Sequence, residues 1–380
     1  MKPEIIQDIV NDMETNRKWK QFLDRFNVDA KDKGFFQGAT FELTAFCTLK
    51  CPMCFVRIDK QTADVLGGRL RTAQEWIDMA RQFRDQGGLF LLLTGGEAMM
   101  RPDFPEIYEE ISKMGLLVSL FTNGTTVDDK MLELLRRRPP AMMGLTLYGA
   151  SEETYRKFSD RDGNFQRALD GLDRLLTIPN LALDVRFVVC SENYKDTKAV
   201  CELVAKRNKL VNFDYGSCAP VRGACANTRK LRLNKAQEAE VNEILSEFTA
   251  PIQAELERRN NLAKDKKENV EVDLMAKESS NIYAPKKIGL NCLGGKNNVY
   301  IAWDGRMYPC DMSEFPYAFP FEQGFKSAAF DIREGVDHLV MPDKCMTCVN
   351  IEKHCGCIPK ALNEMRDCAR HGEKCDYVHI

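Results

Sequence analysis

Residues 39–54 read Ala39-Thr-Phe-Glu-Leu-Thr-Ala45-Phe-Cys47-Thr-Leu-Lys-Cys51-Pro-Met-Cys54. An apolar strand over Ala39–Ala45 runs straight into a thiol-rich loop. The same strand-then-loop unit recurs downstream. Leu89–Leu93, Leu117–Phe121, Met143–Leu147, Leu183–Val189 and Val211–Tyr215 are further short apolar runs of strand length. Helical stretches separate them. Thr72 with Glu75 forms a capping-box pattern ahead of Trp76, Met79, Ala80 and Phe83, closed by Gly87 and Gly88. Phe104, Ile107, Tyr108 and Ile111 follow the i, i+3, i+4, i+7 spacing of an amphipathic helix, and Phe165, Ala168, Leu169 and Leu172 form a second such set. Six strands alternating with helices predict an α/β fold on a parallel sheet, with right-handed crossovers. The apolar runs fit strands covered on both faces. Six units are too few for an eight-stranded barrel. They suit an open, partial barrel or a doubly wound sheet, and in either case ligands bind at the C-terminal strand ends.

Outward from this core the texture changes. Residues 1–38 are expected to form an N-terminal helical segment and 39–225 the barrel. Residues 226–287 read as a helical bridging region, with a helix over Glu238–Arg259 that Pro251 should kink or divide. The charged run Asn260–Asn269 reads as a solvated helix end or loop. Residues 288–380 are a small cysteine-rich unit with one hairpin signal, Asp304-Gly305 between Val299–Trp303 and Arg306–Tyr308.

The chain has 380 residues, 44% apolar and 29% charged, which excludes wholesale disorder. Its 54 basic and 56 acidic side chains give a net charge of −2 and no electrostatic case for nucleic acid or an anionic membrane. The densest apolar run, Leu89–Leu93, is far short of a membrane span. The mixed-charge N-terminus lacks the apolar stretch of a signal peptide, so a cytoplasmic location is expected. In that reducing compartment the 15 cysteines point to metal rather than disulfides. The four histidines, His338, His354, His371 and His379, all lie late in the chain, which excludes an all-histidine site in the first 330 residues.

Cys47-x3-Cys51-x2-Cys54 places three thiolates within eight residues, directly after a strand. A [4Fe–4S] cluster takes four thiolates, so three local ones would leave an iron open to an outside ligand. Structural zinc would need a fourth Cys or His, and none is near. Buried apolar cysteines are the plainer alternative, but the spacing at a strand end speaks against it. Downstream, Cys292-x12-Gly305-x4-Cys310 brings two thiols together across the hairpin, and Cys345-x2-Cys348 is a chelating pair. Cys355, Cys357, Cys368 and Cys375 follow. By ligand type alone, zinc and iron–sulfur clusters both suit this region.

The segment Cys47-Thr-Leu-Lys-Cys51-Pro-Met-Cys54 resembles the motif of the radical S-adenosylmethionine (SAM) superfamily. The resemblance implies a partial (β/α)6 barrel, a [4Fe–4S] cluster on these cysteines, and SAM chelated to the unique iron. It also implies reductive cleavage of SAM to a 5′-deoxyadenosyl radical and a flavodoxin- or ferredoxin-type electron donor. Leu91-Leu-Leu-Thr-Gly95-Gly96-Glu97 resembles the family's GGE segment, which contacts the SAM amino group; Ala98 stands where the family often has Pro. Thr122-Asn123-Gly124 resembles the TNG segment near SAM. Ser151, after strand four, and Arg186, a charge inside strand five, complete the candidate SAM contacts, Arg186 for the carboxylate or as an edge-facing residue.

The C-terminal cysteines resemble the SPASM extension of that superfamily, which carries two auxiliary [4Fe–4S] clusters. This implies one cluster on Cys292, Cys310 and Cys357, and a second on Cys345, Cys348, Cys355 and Cys375. Cys368 would complete the first or replace a ligand. The spacing Cys348-x6-Cys355-x-Cys357 and the extra cysteine depart from the family pattern. SPASM proteins largely modify peptides, so a ribosomal peptide substrate and an intramolecular crosslink, thioether or carbon–carbon, are expected. Only 46 residues precede Cys47, too few for the leader-binding domain of many relatives. The alternatives within the family are epimerisation, with Cys218 returning hydrogen, and a sulfatase-maturase-like oxidation, with Asp311 as base. The alternative outside it is a non-catalytic iron–sulfur electron carrier or zinc protein.

Overall fold

The computed structural model describes residues 1–14, 36–66, 68–159, 161–215, 218–224, 228–265, 288–290, 292–346, 357–370 and 372. Strands β1 (Gly38–Glu42), β2 (Phe90–Thr94), β3 (Leu117–Thr122), β4 (Met142–Leu147), β5 (Leu183–Val188) and β6 (Val211–Asp214) lie side by side in chain order, every pair parallel. This is the α/β fold, with the parallel sheet of a partial barrel. A helix over residues 3–14, α1, precedes the sheet. The helices α2 (Lys60–Val65), α3 (Ala73–Asp85), α4 (Phe104–Ser112), α5 (Asp129–Arg137), α6 (Glu152–Arg156), α7 (Asn164–Leu175) and α8 (Thr197–Ala205) fall between its strands. The capping box at α3 is formed: Thr72 Oγ1 accepts from the Glu75 amide at 3.2 Å, and the Glu75 carboxylate accepts from the Thr72 amide at 2.8 Å.

Side chains alternate along each strand. Phe41, Leu91, Leu93, Leu120, Leu145 and Phe187 are fully buried under the helices, where Phe41 meets Trp76 of α3 with ring centroids 5.2 Å apart. Their neighbours in sequence, including Thr40, Leu92, Phe121, Thr146 and Arg186, face a cavity on the other side of the sheet. The expectation that both faces would be sealed by apolar packing is corrected here. One face is core, and the other is the mixed polar and apolar lining of a barrel interior.

A second finding concerns the cysteine-rich region. The expected hairpin forms from β7 (Asn298–Ile301) and β8 (Met307–Tyr308), and β7 pairs in parallel with β1, Tyr300 opposite Thr40. The sheet therefore runs β6-β5-β4-β3-β2-β1-β7-β8. The hairpin covers the β1 edge, which would otherwise present unpaired backbone groups. The chain region after residue 288 is thus joined to the barrel by a continuous hydrogen-bonded sheet.

Helix α9 (Lys235–Asp265) runs on through Pro251; of the kink or division expected there, the division does not occur. A proline inside a helix costs on the order of 3 kcal/mol. Ile252 and Leu256, one turn on, are completely buried with Ile9 and Val10 of α1, and each buried aliphatic side chain returns roughly 1.5–3 kcal/mol. Packing prevails over local propensity. The remaining helices are α10 (Pro320–Gln323), α11 (Phe325–Asp337), α12 (Asp343–Met346) and α13 (Ile358–Arg370). Cys348, Cys355 and Cys375 lie outside the described residues.

Candidate active site

The C-terminal strand ends and the loop that follows β1 enclose a cavity of about 430 Å³. Cys47, Cys51 and Cys54 stand in its wall, with Gly95 and Gly96 after β2, Thr122 at the end of β3 and Asn123 after it. Cys310 and Asp311, just past the β7–β8 hairpin, line the same cavity.

The cysteine loop is pinned by backbone bonds from the β2 end. The Gly96 amide donates to Thr44 O at 2.7 Å and the Glu97 amide to Phe46 O at 2.8 Å. A Cβ on Gly96 would stand 2.2 Å from Phe46 O, so this approach needs glycine. Arg101, buried, donates to Leu43 O at 2.6 Å and pairs with Asp103 at 2.7 Å, fixing the same stretch from behind.

Glu97 does not line the cavity. It is 0% exposed, and its carboxylate accepts from Thr122 Oγ1 at 3.1 Å and from the Asn123 amide at 2.8 Å. Burial pushes its carboxyl up to about 7 against these hydrogen bonds. Its role in the fold is to tie the β2 loop to the β3 loop. Asn123 continues the chain of bonds: Nδ2 donates to Cys47 Sγ at 3.4 Å and to Thr48 Oγ1 at 3.0 Å.

The three thiols are held in an environment that opposes ionisation. Burial and the nearby Glu97 push Cys47 up to about 12, and burial raises Cys51 and Cys54; Cys54 adds to the effect on Cys47, and Cys47 and Cys54 both add to it on Cys51. Metal ligation needs thiolates, so this donor set fits a group that brings positive charge into the loop. Among the described residues no three His, Cys, Asp or Glu side chains converge as around a single ion. A cubane spreads its thiolates over separate irons, which suits the three cysteines around a shared cavity.

The other expected site residues divide. Arg186 lines the cavity, its guanidinium 4.4 Å above the Phe121 ring and 2.6 Å from Asp184 Oδ2. Ser151 does not reach it: its Oγ accepts from the Thr154 amide at 3.1 Å as the N-cap of α6. Cys218 is not in the lining either. It is half-buried with Lys360, Asp214, Asp311 and Glu364 around it, and burial pushes its thiol up to about 11. Asp311 opens into the cavity while the surrounding protein raises its carboxyl and Arg222 pulls the other way.

In the C-terminal region Cys310 has Cys292 and Cys357 for neighbours; burial above all, then Asp311 and these two thiols, opposes ionisation of its thiol. Cys345 is buried, its sulfur 4.0 Å from Met365 Sδ. Cys368, 3% exposed on α13, takes a hydrogen bond from Arg229 at 2.7 Å.

Two groups escaped the sequence reading. Tyr148 follows β4 beside Cys51 and stacks on Phe158 at 5.5 Å. Arg222, its side chain 5% exposed, lies 3.9 Å from the fully buried Glu42 carboxylate of β1 and 4.7 Å over the Tyr300 ring of β7. It also donates to Asp311 O at 2.6 Å, while its amide donates to Glu314 Oε1 at 2.7 Å. One side chain thus rivets β1, the hairpin and the Cys310–Glu314 turn together. Glu42 carried the signal: an acid within an apolar strand, as Arg186 is a base within one.

Residues 41–204 match the Radical SAM superfamily. This chain carries a radical SAM domain. The domain brings with it SAM and one [4Fe–4S] cluster as cofactors, and it makes the chain an enzyme, which sets aside the electron-carrier and zinc-protein readings. AdoMet-dependent heme synthase of Methanosarcina barkeri is 26% identical over 351 residues, 89% of this chain and 95% of that protein. PqqA peptide cyclase of Ruegeria pomeroyi is 28% identical over 341 residues, 84% of this chain and 82% of that one. The crystal structure of Streptococcus suis SuiB bound to S-adenosylmethionine superposes with a TM-score of 0.57, covering 84% of this chain and 72% of that one at 14% identity. That last likeness is one of fold alone. No helix among the described residues is long and apolar enough to cross a membrane.

Proposed function

We propose that this radical SAM enzyme abstracts hydrogen from a ribosomal peptide and installs an intramolecular crosslink, thioether or carbon–carbon. The observation that carries the reading is the shared cavity: Cys47, Cys51 and Cys54 line it together with Cys310 and Asp311. In this reading the first three cysteines hold the cluster that binds SAM, and Cys292, Cys310 and Cys357 hold an auxiliary cluster. Cys345, Cys348, Cys355 and Cys375 hold a second. Bound there, SAM and its cluster supply a 5′-deoxyadenosyl radical on reduction by a flavodoxin- or ferredoxin-type donor. Gly95, Gly96, Thr122 and Arg186 shape the SAM side of the cavity. The substrate carbon must lie between that side and Cys310, so that proximity selects the hydrogen removed. Crosslinking is a net oxidation of the peptide by two electrons. A cluster at Cys310 gives the second electron a place to go.

A second reading has support in the near full-length likeness to AdoMet-dependent heme synthase, which makes a tetrapyrrole the competing substrate. The charges in the cavity favour the peptide. Arg57 and Arg186 are offset by Asp214 and Asp311, and Arg186 is already held by Asp184. A tetrapyrrole with several carboxylates would set them against two acidic side chains.

Mass spectrometry of the peptide encoded beside this gene, after reaction with reduced enzyme and SAM, tests the proposal. The expected product lacks two hydrogens, and tandem fragmentation fails across the linked residues. An unchanged mass in water with one deuterium gained in D2O would mean epimerisation, with Cys218 as donor. Loss of two hydrogens with clean fragmentation would mean oxidation with Asp311 as base. No change to the peptide, with turnover of an iron porphyrin, would select the tetrapyrrole reading.

A further inference from the structure

Asn123 sits at the SAM side of the cavity, yet its polar atoms are committed elsewhere. The residue is 5% exposed. Its Oδ1 accepts from the Thr125 amide at 3.0 Å and lies 2.6 Å from Thr125 Oγ1. An amide N–H can only donate, so Oδ1 must be the end that faces Thr125. Nδ2 is thereby aimed at Cys47 Sγ, 3.4 Å away, and at Thr48 Oγ1, 3.0 Å away. Thr48 Oγ1 in turn lies 2.7 Å from Thr125 Oγ1, closing a ring of three side chains beside the first cysteine. The backbone is fixed as well, because the Asn123 amide donates to the buried Glu97 carboxylate at 2.8 Å. Asn123 can neither flip its amide nor move its main chain without losing several buried hydrogen bonds, and each such loss is costly.

We infer that Asn123 is a positioning residue for the cluster rather than a SAM ligand: its fixed side-chain N–H donates to the Cys47 thiolate and raises the reduction potential of the cluster held there. This rests on the assignment of Cys47, Cys51 and Cys54 to that cluster. The positive end of the N–H dipole faces a sulfur whose negative charge grows when an electron is added. Hydrogen bonds to cluster sulfurs are an established means of setting the potential. Thr125, Thr48 and Glu97 form the frame that keeps the donor pointed.

The test is a redox titration of the full-length holoenzyme without SAM, followed by electron paramagnetic resonance. The relevant signal is the reduced-state component that changes when SAM is afterwards added. Asn123→Ala is expected to keep the wild-type iron content and shift the midpoint of that component to more negative potential. Asn123→Asp, which puts an acceptor carrying negative charge against the thiolate, is expected to shift it further. A wild-type midpoint in an iron-replete Asn123→Ala enzyme overturns the inference, as does a raised KM for SAM with the midpoint unchanged. If Asn123→Ala fails to retain iron, Thr125→Val decides. Losing the hydroxyl that fixes Oδ1 should give a smaller shift in the same direction, and no shift overturns the inference. A wild-type enzyme with no SAM-sensitive signal at all would instead overturn the cluster assignment beneath it.

Discussion

Replacing Cys47, Cys51 and Cys54 together with alanine is expected to lower the iron content of anaerobically prepared enzyme from about twelve to about eight atoms per chain. The three thiols come from one loop and line one cavity. Cys190 is buried in the core cluster with Leu49, Cys51 and Met53 and does not line the cavity. No substitute ligand set is therefore at hand among the described residues. Cys310 reaches the cavity from the other chain segment, with Cys292 and Cys357 for neighbours, so in the proposed assignment the irons held by the C-terminal cysteines should persist. Iron staying near twelve in the triple variant would remove the assignment of these cysteines. A wild-type enzyme with about four irons and stoichiometric zinc would show that the C-terminal cysteines form a zinc module.

Arg222→Ala is expected to destabilise the enzyme by about 3–5 kcal/mol, the usual cost of leaving one member of a buried ion pair alone. Glu42 is fully buried, and Arg222 is the cation that opposes its desolvation. The same substitution strips the donor from Asp311 O and the cation from the Tyr300 ring. The loss should depend on pH. Burial raises the Glu42 carboxyl from an ordinary 4.5 to about 7, so the folded state binds this proton more tightly than the unfolded state does. Its contribution to stability is therefore full below about 4.5 and fades as pH rises toward 7. The Arg222→Ala penalty should accordingly be larger at pH 8 than near pH 5, where Glu42 is neutral. Adding Glu42→Gln should recover part of it at pH 8, because no buried charge is then left unpaired. Denaturant unfolding of the single and double variants at both pH values checks this. Equal penalties at the two pH values would mean that Glu42 is not what Arg222 compensates.

The strands and their order were legible because each carries a buried apolar side on a short run, and because the alternation with helices leaves few arrangements open. The polar side chains along the same strands were less informative in sequence. Thr40, Thr146 and Arg186 acquire their meaning only once the sheet curves around a cavity. The pairing of β7 with β1 is a contact between segments more than 250 residues apart, and nothing local to Asn298–Ile301 encodes its partner. Of the kink or division expected at Pro251, the division does not occur, because the α1 contact holds the helix together around it. Ser151 illustrates the converse. The stretch Ser151-Glu-Glu-Thr154 is a helix N-cap pattern with acids in the first turn, and that ordinary role is what the structure displays. Arg222 lies in a loop with no periodicity to mark it, so its partners could not be read in advance. The gathering of Cys47, Cys51 and Cys54 was legible because three thiols from one loop need no tertiary knowledge to be placed together. The C-terminal set draws on several segments, and Cys292, Cys310 and Cys357 come together only through the hairpin and the start of α13.

The most direct test of the account is the product of SAM itself. Wild-type enzyme, reduced under anaerobic conditions and given SAM, should accumulate 5′-deoxyadenosine, and the Cys47/Cys51/Cys54→Ala variant should form none. Formation at the wild-type rate by the triple variant, or none by iron-replete, reduced wild-type enzyme, would contradict it.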